Sequence, residues 1–333
     1  MELSSEWLGR VREDIVEPGR EICDPHHHLW DLPGNRYLLD ELMADTGSGH
    51  NVVSTVFVEC GAMYRADGPE ALRPVGETEF VNGVAAMSAS GTYGDFRACL
   101  GIVGFADLSL GSAVGEVLDA HMAASPRFRG IRHAAGWDAS PGIRNSHTNP
   151  SEGLMVDGAF HEGFAELGKR GLSFDAWFYH PQMPDFIELA RAFPHTTIIL
   201  DHFGGPLGVG PYVGQREEIF ERWKGHIVQL GQCPSVYAKL GGVVMPINGF
   251  GFHKQDRPPS SEEIVAATSR YYRHVIDCFG AERCMFESNF AVEKQSVSYP
   301  VLWNAFKKMV ADASETEKAA LFHDTAARAY RLA

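Results

Sequence analysis

Histidines at the end of a predicted strand are the first residues of this sequence that could do chemistry. The segment Asp24-Pro-His-His-His-Leu-Trp30 places His26 and His28 two positions apart. Because alternate residues of a strand point to the same side, both imidazoles can converge on one metal ion or one substrate oxygen. His27 then points the other way. A lone histidine is commonly a core residue, but an H-x-H pair at a strand end is far more specific.

Two further histidines stand at the ends of later predicted strands. His180 closes the run Asp175-Ala-Trp-Phe-Tyr-His180, and His202 closes the run Ile199-Leu-Asp-His202. Histidines from three strands that reach one rim are better explained by a site than by chance. The sequence therefore predicts that these residues polarise a substrate carbonyl, either directly or through one divalent ion such as zinc. The predicted cluster consists of His26, His28, His180 and His202.

Positive charge gathers on the fourth predicted strand, although acidic residues outnumber basic ones and the formal net charge is −14. Arg127, Arg129, Arg132 and His133 follow one another there. Guanidinium groups suit bidentate recognition of carboxylates. We expect Arg132 or His133 to contact an anionic substrate, and Arg65 is a further candidate for anchoring it.

Eight short apolar runs, each followed by a turn signal and a segment of helical periodicity, must position these residues. Strict alternation of eight strands with helices predicts a parallel (β/α)8 TIM barrel. A doubly wound sheet is the alternative, but no G-x-G-x-x-G follows the first strand. The predicted strands are Glu21 to His28, Val52 to Cys60, Ala98 to Asp107, Phe128 to His133, Leu172 to His180, Thr196 to His202, Ser235 to Gly241 and Arg283 to Asn289.

The predicted helices are Glu77 to Ser90, Ser112 to Ala124, Gly158 to Arg170, Met183 to Phe193, Gln215 to Leu230, Ser261 to Phe279, Val301 to Val310 and Ser314 to Leu332. Ser261 and Ser314 are predicted N-caps because acids follow them in the first turn. We expect one domain over residues 1–333, with an N-terminal extension at 1–20 and C-terminal helices at 300–333. Long connections at 61–76, 134–157 and 242–260 should lie over the C-terminal face, where barrel active sites form.

Three motifs on these elements resemble those of the amidohydrolase superfamily. They are Asp24-Pro-His-His-His-Leu-Trp30, Leu200-Asp-His-Phe-Gly-Gly205 and Cys284-Met-Phe-Glu-Ser-Asn-Phe290. More narrowly, they are similar to the branch of 2-pyrone-4,6-dicarboxylate lactonases and sugar lactonases. The resemblance implies a hydrolase that acts on lactones, with a divalent metal in some members and none in others. Related decarboxylases share the barrel and use zinc.

The eighth strand departs from that family pattern. Where the family usually has Gly-Ser-Asp-Trp-Pro, this sequence has Glu287-Ser-Asn289-Phe-Ala291. The family aspartate, which binds metal or takes a proton from water, corresponds to Asn289, and a carboxamide cannot act as a base. Glu287 shares the strand face of Asn289 and could serve as the base, because burial raises a carboxyl pKa. The alternative role of Glu287 is a structural partner for Lys239 or an arginine inside the barrel.

Aromatic residues are dense near the predicted rim, among them Trp137, Tyr179 and Phe203. Some aromatic side chains must pack between sheet and helices. Their density nevertheless predicts a pocket for a flat or aromatic-derived ring more than for a fully hydroxylated sugar.

The overall composition excludes several classes of partner. An acidic chain repels phosphate backbones and anionic lipids, so we expect neither nucleic acid nor membrane as a partner. Six scattered cysteines without a C-x-x-C pair predict free thiols, and no signal peptide or transmembrane pattern is visible. The prediction is a cytoplasmic enzyme with a small anionic substrate, and association into a homo-oligomer stays open.

The function predicted from the sequence is the hydrolysis of a lactone or related cyclic ester, on a carboxylated or aromatic-derived ring. A zinc-dependent decarboxylase of the same superfamily is one alternative. The other is a catalytically silent barrel that binds a ligand, for which Asn289 is the main argument.

Overall fold

Eight parallel strands form a nearly closed barrel in the computed structural model, which describes residues 5–332. The strands are β1 Glu21–His27, β2 Asn51–Val58, β3 Arg97–Gly104, β4 Phe128–Arg132, β5 Ser173–Ala176, β6 Ile198–Leu200, β7 Val236–Leu240 and β8 Cys284–Phe286. Each strand pairs with the next along the chain, from β1 to β8. Beyond β8, the Asn289 amide donates to the His26 carbonyl at 2.9 Å and the His28 amide to the Phe290 carbonyl at 2.7 Å, which closes the ring. The predicted TIM barrel is confirmed.

Helices follow the strands and cover the outside of the barrel. Their bounds are Ser5–Leu8, Leu39–Thr46, Val75–Ala89, Val114–Ala124, Gly158–Lys169, Met183–Ala192, Arg216–Gly231, Ser261–Phe279, Tyr299–Met309, Glu315–Ala319 and Thr325–Ala329. A π-helical segment at Ala320–Asp324 divides the helix that was predicted over 314–332. A small antiparallel hairpin of Trp30–Leu32 and Asn35–Tyr37 follows β1.

Serine caps fix the starts of two of these helices. The hydroxyl of Ser314 accepts from the Glu317 amide at 3.3 Å, as predicted. The cap of the 261–279 helix is Ser260, whose hydroxyl accepts from the Glu263 amide at 3.2 Å, so the prediction of Ser261 is wrong by one residue. Ser261 lies in the first turn and its hydroxyl donates to Glu13 at 2.5 Å. The error arose because both serines precede the same acids.

The barrel interior has an apolar base and a charged upper layer. The base consists of Cys23, Val56, Val58, Val103, Ile199 and Met285, and the last helix seals it with Tyr330. The Tyr330 hydroxyl donates to Asp175 Oδ2 at 2.5 Å, which marks the boundary between the layers. Because this end is filled, only the opposite mouth of the barrel is open to a ligand.

Two of the three long connections contribute to that mouth. Residues 144–147 lie in the connection after β4 and residues 245 and 247 lie in the connection after β7, and all of them line the same cavity. The connection at 61–76 adds no lining residue. At the other end of the chain, the Val16 amide donates to Asn304 Oδ1 at 2.9 Å and ties the N-terminal extension to the Tyr299–Met309 helix. Within residues 5–332, no helix is long and apolar enough to cross a membrane.

Candidate active site

A cavity of about 360 Å³ opens at the mouth of the barrel. Its wall combines cationic, imidazole, amide and apolar side chains. The lining residues are His28, Trp30, Cys60, Arg132, Arg144, Asn145, Ser146, His147, Trp177, Tyr179, His202, Met245, Ile247, Asn289 and Val292. A polar floor with apolar walls is the usual form of a small-molecule site.

The H-x-H pair on β1 enters the barrel after a break in the register of the strand. A register irregularity between Asp24 and His27 turns the chain so that His26 and His28 face inward. His27 faces outward, and its Nε2 lies 2.8 Å from Thr55 Oγ1. The Nδ1 of His28 lies 2.8 Å from the Val58 carbonyl, which can only accept, so Nδ1 carries the proton. The Nε2 lone pair of His28 is therefore free on the cavity side.

A left-handed backbone turns His202 into the cavity. By simple alternation Asp201 faces inward and His202 outward, but His202 has φ of 49° and Phe203 has φ of 60°. Two glycines directly after β7 make room for this turn. A Cβ at Gly242, which has φ of 74°, would lie 2.3 Å from His202 Nδ1, and a Cβ at Gly241 would lie 2.4 Å from Glu287 Cγ. Side chains at these positions would displace both groups.

Glu287 bridges two histidines at the centre of the floor. Its Oε2 lies 2.7 Å from His26 Nδ1 and its Oε1 lies 2.6 Å from His202 Nδ1. The carboxyl is fully buried, and burial raises its pKa to about 8 although Lys239 opposes the shift. Burial lowers the pKa of His202 to about 3 and that of His26 well below its ordinary value, so near neutral pH the titrating proton of this group is on Glu287.

Beneath Glu287 lies a compact group of buried charges. Lys239 Nζ is 2.6 Å from Asp175 Oδ2, 3.2 Å from Asp201 Oδ1 and 3.2 Å from His26 Nδ1. Burial raises the pKa of Asp201 to about 6, and Lys239 works against that rise. The Lys239 ammonium group holds these carboxylates together and fixes the position of the His26 ring.

A second charged group, the Arg132 arm, forms the opposite side of the floor. Arg132 Nε donates to Glu59 Oε1 at 2.7 Å, and Nη2 donates to the Glu59 carbonyl at 2.5 Å. His147 Nε2 lies 2.9 Å from Glu59 Oε2. Burial alone would raise the pKa of Glu59, but Arg132 and His147 lower it to about 2. The Arg132 Nη1 group lies 3.4 Å from His26 Nε2, so the arm also orients that imidazole.

Asn289 brings an unsatisfied donor to the site. Its side chain is 1% exposed, and its Nδ2 has no hydrogen-bond partner among the described residues. The residue lines the cavity and has φ of 52°. A buried amide without a partner is costly in a folded protein, so this group is available to a ligand.

His180 and His133 do not reach the cavity. Both were predicted at the site, and both predictions are wrong for the same reason. On β5 and just beyond it, Asp175, Trp177 and Tyr179 face the barrel axis, so His180 faces outward. Its Nδ1 accepts from the Leu207 amide at 3.2 Å. On β4 the inward residue is Arg132, so His133 packs behind the sheet, where its Nδ1 accepts from the Leu108 amide at 3.3 Å. Strand alternation decides both positions.

Three further predicted residues also lie outside the cavity. Arg65 forms an exposed ion pair with Glu79. Trp137 donates its backbone amide to Gln182 Oε1 at 3.1 Å, away from the lining residues. Phe203 is 1% exposed and packs against Tyr272 with ring centres 4.8 Å apart, because its left-handed backbone turns it into the core.

Of the predicted aromatic residues, Tyr179 does line the cavity, and its hydroxyl donates to the Arg144 carbonyl at 2.5 Å. Sequence reasoning assigned no role to several residues that now define the site. These are Glu59, Arg144, His147, Asp175 and Asp201, with Lys239 considered only as a partner of Glu287. For Glu59 and Asp201 a signal existed, since each stands at the C-terminal end of a barrel strand. For Arg144 and His147 no signal existed, because a 24-residue loop gives no register.

The floor of the cavity contains residues of the types that bind zinc. Zinc takes neutral histidine nitrogens and carboxylate oxygens. His26, His202 and Glu287 offer three such atoms, all within 4.8 Å of one another, so the residues fit in type and number. Of the four predicted ligands, this group contains His26 and His202 and omits His28 and His180. Glu287 Oε1 also makes the hydrogen bond with His202 Nδ1 at 2.6 Å.

Comparisons with known proteins agree with this architecture. Protein y4mH of Sinorhizobium fredii, described as uncharacterized, is 34% identical over 93% of this chain and 98% of its own length. An L-fucono-1,5-lactonase of Burkholderia ambifaria is 24% identical over 81% of this chain and 80% of its own. A crystal structure of an amidohydrolase from Burkholderia multivorans with bound zinc has a TM-score of 0.72 at 21% identity, covering 94% of this chain and 99% of that one.

A family model supplies the decisive comparison. The model of the amidohydrolase family matches residues 23–332, from the first barrel strand to the last described residue. The match includes the H-x-H motif, the strand that ends in His202 and the segment with Glu287 and Asn289. The chain belongs to the amidohydrolase family.

Proposed function

We propose that this protein hydrolyses a lactone or related cyclic ester whose ring carries a carboxylate. The observation that carries the proposal is the position of Glu287 between the Nδ1 atoms of His26 and His202, at 2.7 and 2.6 Å. A carboxylate behind an imidazole that faces a ligand cavity is an arrangement for general base catalysis. The relationship to a lactonase supports ester hydrolysis.

The walls of the cavity favour a flat anionic substrate. Apolar and aromatic groups of Trp30, Trp177 and Met245 offer faces for a ring. Arg144 lines the same cavity, and its guanidinium has no ion pair or hydrogen bond among the described residues. Because Arg132 is already held by Glu59, Arg144 is the cation that is free to bind a substrate carboxylate. A small carboxylated molecule is thus the partner proposed for this site.

The pair of Glu287 and His202 provides the base. When Glu287 is ionised, it accepts the Nδ1 proton of His202, and the Nε2 lone pair of His202 can take a proton from water. The raised pKa of Glu287, about 8, means that the pair loses a proton in this range to reach the reactive form. We expect kcat/KM to rise with pH up to about 8. The Nε2 lone pair of His28 accepts from the same water and orients it.

The amide of Asn289 provides the donor for the carbonyl oxygen. Water adds to the carbonyl carbon, and the oxygen that becomes negative can accept from Asn289 Nδ2, the unpartnered buried donor of the cavity. Protonated His202 then gives its Nε2 proton to the leaving ring oxygen, the ester C–O bond breaks, and a hydroxy acid remains. If a zinc ion is bound, His26, His202 and Glu287 would hold it, and it would supply Lewis acidity.

The test is a screen of paired lactones by pH indicator. Each carboxylated lactone is matched with its methyl ester or its unsubstituted ring, and hydrolysis is measured with the wild type and with His202→Gln. The proposal predicts turnover of at least one carboxylated lactone, a lower kcat/KM for its neutral partner, and loss of turnover in the variant. Equal rates for both members of every pair would contradict the carboxylate preference, and unchanged turnover by His202→Gln would exclude the proposed base.

A further inference from the structure

A second cavity, of about 330 Å³, lies on the outside of the barrel between two helices. It contains His180, the strand-end histidine that does not reach the active site. The other lining residues are Pro181, Pro184, Tyr212, Arg222, Trp223 and His226. None of these residues lines the active-site cavity. The strand end separates the two spaces, with Tyr179 facing one and His180 facing the other.

The tautomer of His180 places a hydrogen-bond donor in this second cavity. Because Nδ1 accepts from the Leu207 amide at 3.2 Å, the ring proton of the neutral form must be on Nε2. The residue is 7% exposed, and no described residue accepts a hydrogen bond from Nε2. The ring of Tyr212 stands edge-on to the imidazole with centres 5.0 Å apart and fixes its orientation. The N–H group of His180 thus faces the cavity and can donate to an acceptor there.

One guanidinium and a second imidazole share the cavity with that donor. Arg222 and His226 are four residues apart on the Arg216–Gly231 helix, so their side chains lie side by side. The nearest carboxylate to Arg222 is Glu218, at 3.7 Å and largely in water, which is a weak pair. His226 has no hydrogen-bond partner among the described residues. Like charges at this spacing repel when His226 is protonated, and an anion between them would remove the repulsion.

We propose that the cavity of His180, Arg222 and His226 is a second binding site, for a small oxyanion of the phosphate or carboxylate class. In a chain of net charge −14, three nitrogen donors surround this one concave space, and the neighbouring Asp138 carboxylate already accepts a hydrogen bond from the Tyr212 hydroxyl. The aromatic rings of Tyr212 and Trp223 complete a wall for an organic substituent.

Hydrogen bonds connect this site to the active-site loop. The Tyr212 hydroxyl donates to Asp138 Oδ2 at 2.5 Å, and the Asp138 amide donates to Asn145 Oδ1 at 3.2 Å. Asn145 lines the active-site cavity. An anion that orders Tyr212 would therefore also reduce the motion of residues 138–145. This coupling gives the site a readout that does not depend on turnover.

The experiment titrates inorganic phosphate and, separately, acetate into the full-length protein and follows the histidine ring signals by NMR. We expect at least one of the two anions to saturate a site and to shift the signals of His180 and His226. Arg222→Gln should weaken that binding by about tenfold or more, since a charge-assisted contact is lost. The matched control is Arg191→Gln, a surface arginine outside the cavity that donates to Gln229, and it should bind like the wild type.

Hydrogen exchange provides the second measurement. Saturation with the bound anion should slow exchange of residues 138–145 in the wild type and not in Arg222→Gln. Which anion saturates at lower concentration distinguishes a phosphate site from a carboxylate site. The proposal is wrong if neither anion saturates, if Arg222→Gln binds as tightly as Arg191→Gln, or if the shifts are confined to His28 and His202.

Discussion

The two sides of the active-site floor carry equally buried glutamates with opposite properties. Glu59 and Glu287 both follow barrel strands and both have 0% exposure. The pKa of Glu59 is lowered to about 2, because Arg132 and His147 outweigh its burial. The pKa of Glu287 is raised to about 8, because its burial outweighs Lys239. The same side chain at the same depth is a permanent anion on one side and a proton carrier on the other.

The difference shows that contact with a full positive charge, not depth, decides the protonation of a buried acid. Arg132 makes two direct hydrogen bonds to Glu59, through Nε to the carboxylate and Nη2 to the carbonyl. The direct neighbours of Glu287 are the imidazoles of His26 and His202, and Lys239 makes its closest ion pair with Asp175 instead. We therefore assign structure to the Glu59 side and proton transfer to the Glu287 side.

The largest effect should come from Glu287→Gln. The amide keeps an acceptor for His202 Nδ1 but cannot hold the proton, so kcat should fall by about 10³–10⁴-fold, as in other carboxylate–histidine pairs. The rise of kcat/KM toward pH 8 should disappear as well. Turnover of the best lactone measures both effects, with Glu79→Gln on the surface as control. If the kcat of Glu287→Gln is within a factor of about three of the wild-type kcat, the base is another residue.

Glu59→Gln should instead act on stability. The substitution leaves the Arg132 guanidinium buried without its anion, and breaking a buried ion pair costs about 3–5 kcal/mol of unfolding free energy. Urea denaturation followed by circular dichroism measures this loss. If Glu59→Gln and Glu287→Gln have similar free energies of unfolding, the two sides do not differ in their structural role.

The two carboxyl groups should also give opposite pH dependences of stability. A raised pKa means that the contribution of Glu287 is complete below pH 4.5 and is lost as the pH rises through 8. A lowered pKa means that the contribution of Glu59 is present above pH 4.5 and is lost as the pH falls toward 2. Denaturation of wild type and each glutamine variant between pH 2 and 9 covers both ranges and tests this. Parallel curves for wild type and Glu287→Gln would show that Glu287 does not titrate there.

Arg144→Gln should affect recognition more than chemistry. We expect KM for a carboxylated lactone to rise about tenfold, corresponding to about 1.4 kcal/mol, with kcat nearly unchanged. The neutral partner lactone provides the internal control, because its KM should not move. If kcat falls and KM is constant, Arg144 contributes to the reaction instead of binding.

The smallest effect should come from Arg65→Gln. The ion pair of Arg65 with Glu79 is 39% and 48% exposed. Exposed pairs contribute about 1 kcal/mol or less, so stability should change by no more than that and turnover should not change. A clear loss of activity would show that the connection at 61–76 closes over the site during catalysis.

The barrel could be predicted from the sequence, and so could the residues at the centre of the candidate site. Strand alternation correctly indicated that Glu287 and Asn289 share an inward face, and the expectation that Arg132 or His133 reaches the cavity is met by Arg132. The same alternation places His180 outside, because it lies an odd number of residues from the inward-facing Asp175. His202 is the reverse case, since only its left-handed backbone brings it inward, and no pattern of hydrophobic residues encodes that φ. Arg144 and His147 depend on the path of a long loop, which sequence periodicity does not determine.

The account is tested most directly by isotope labelling of a single turnover in H₂¹⁸O. With a carboxylated lactone as substrate, we predict one ¹⁸O atom in the new carboxylate, a product heavier than the substrate by one labelled water, and no release of carbon dioxide. Mass spectrometry of the product measures all three. Release of carbon dioxide without incorporation of ¹⁸O would contradict hydrolysis and establish the decarboxylase in its place.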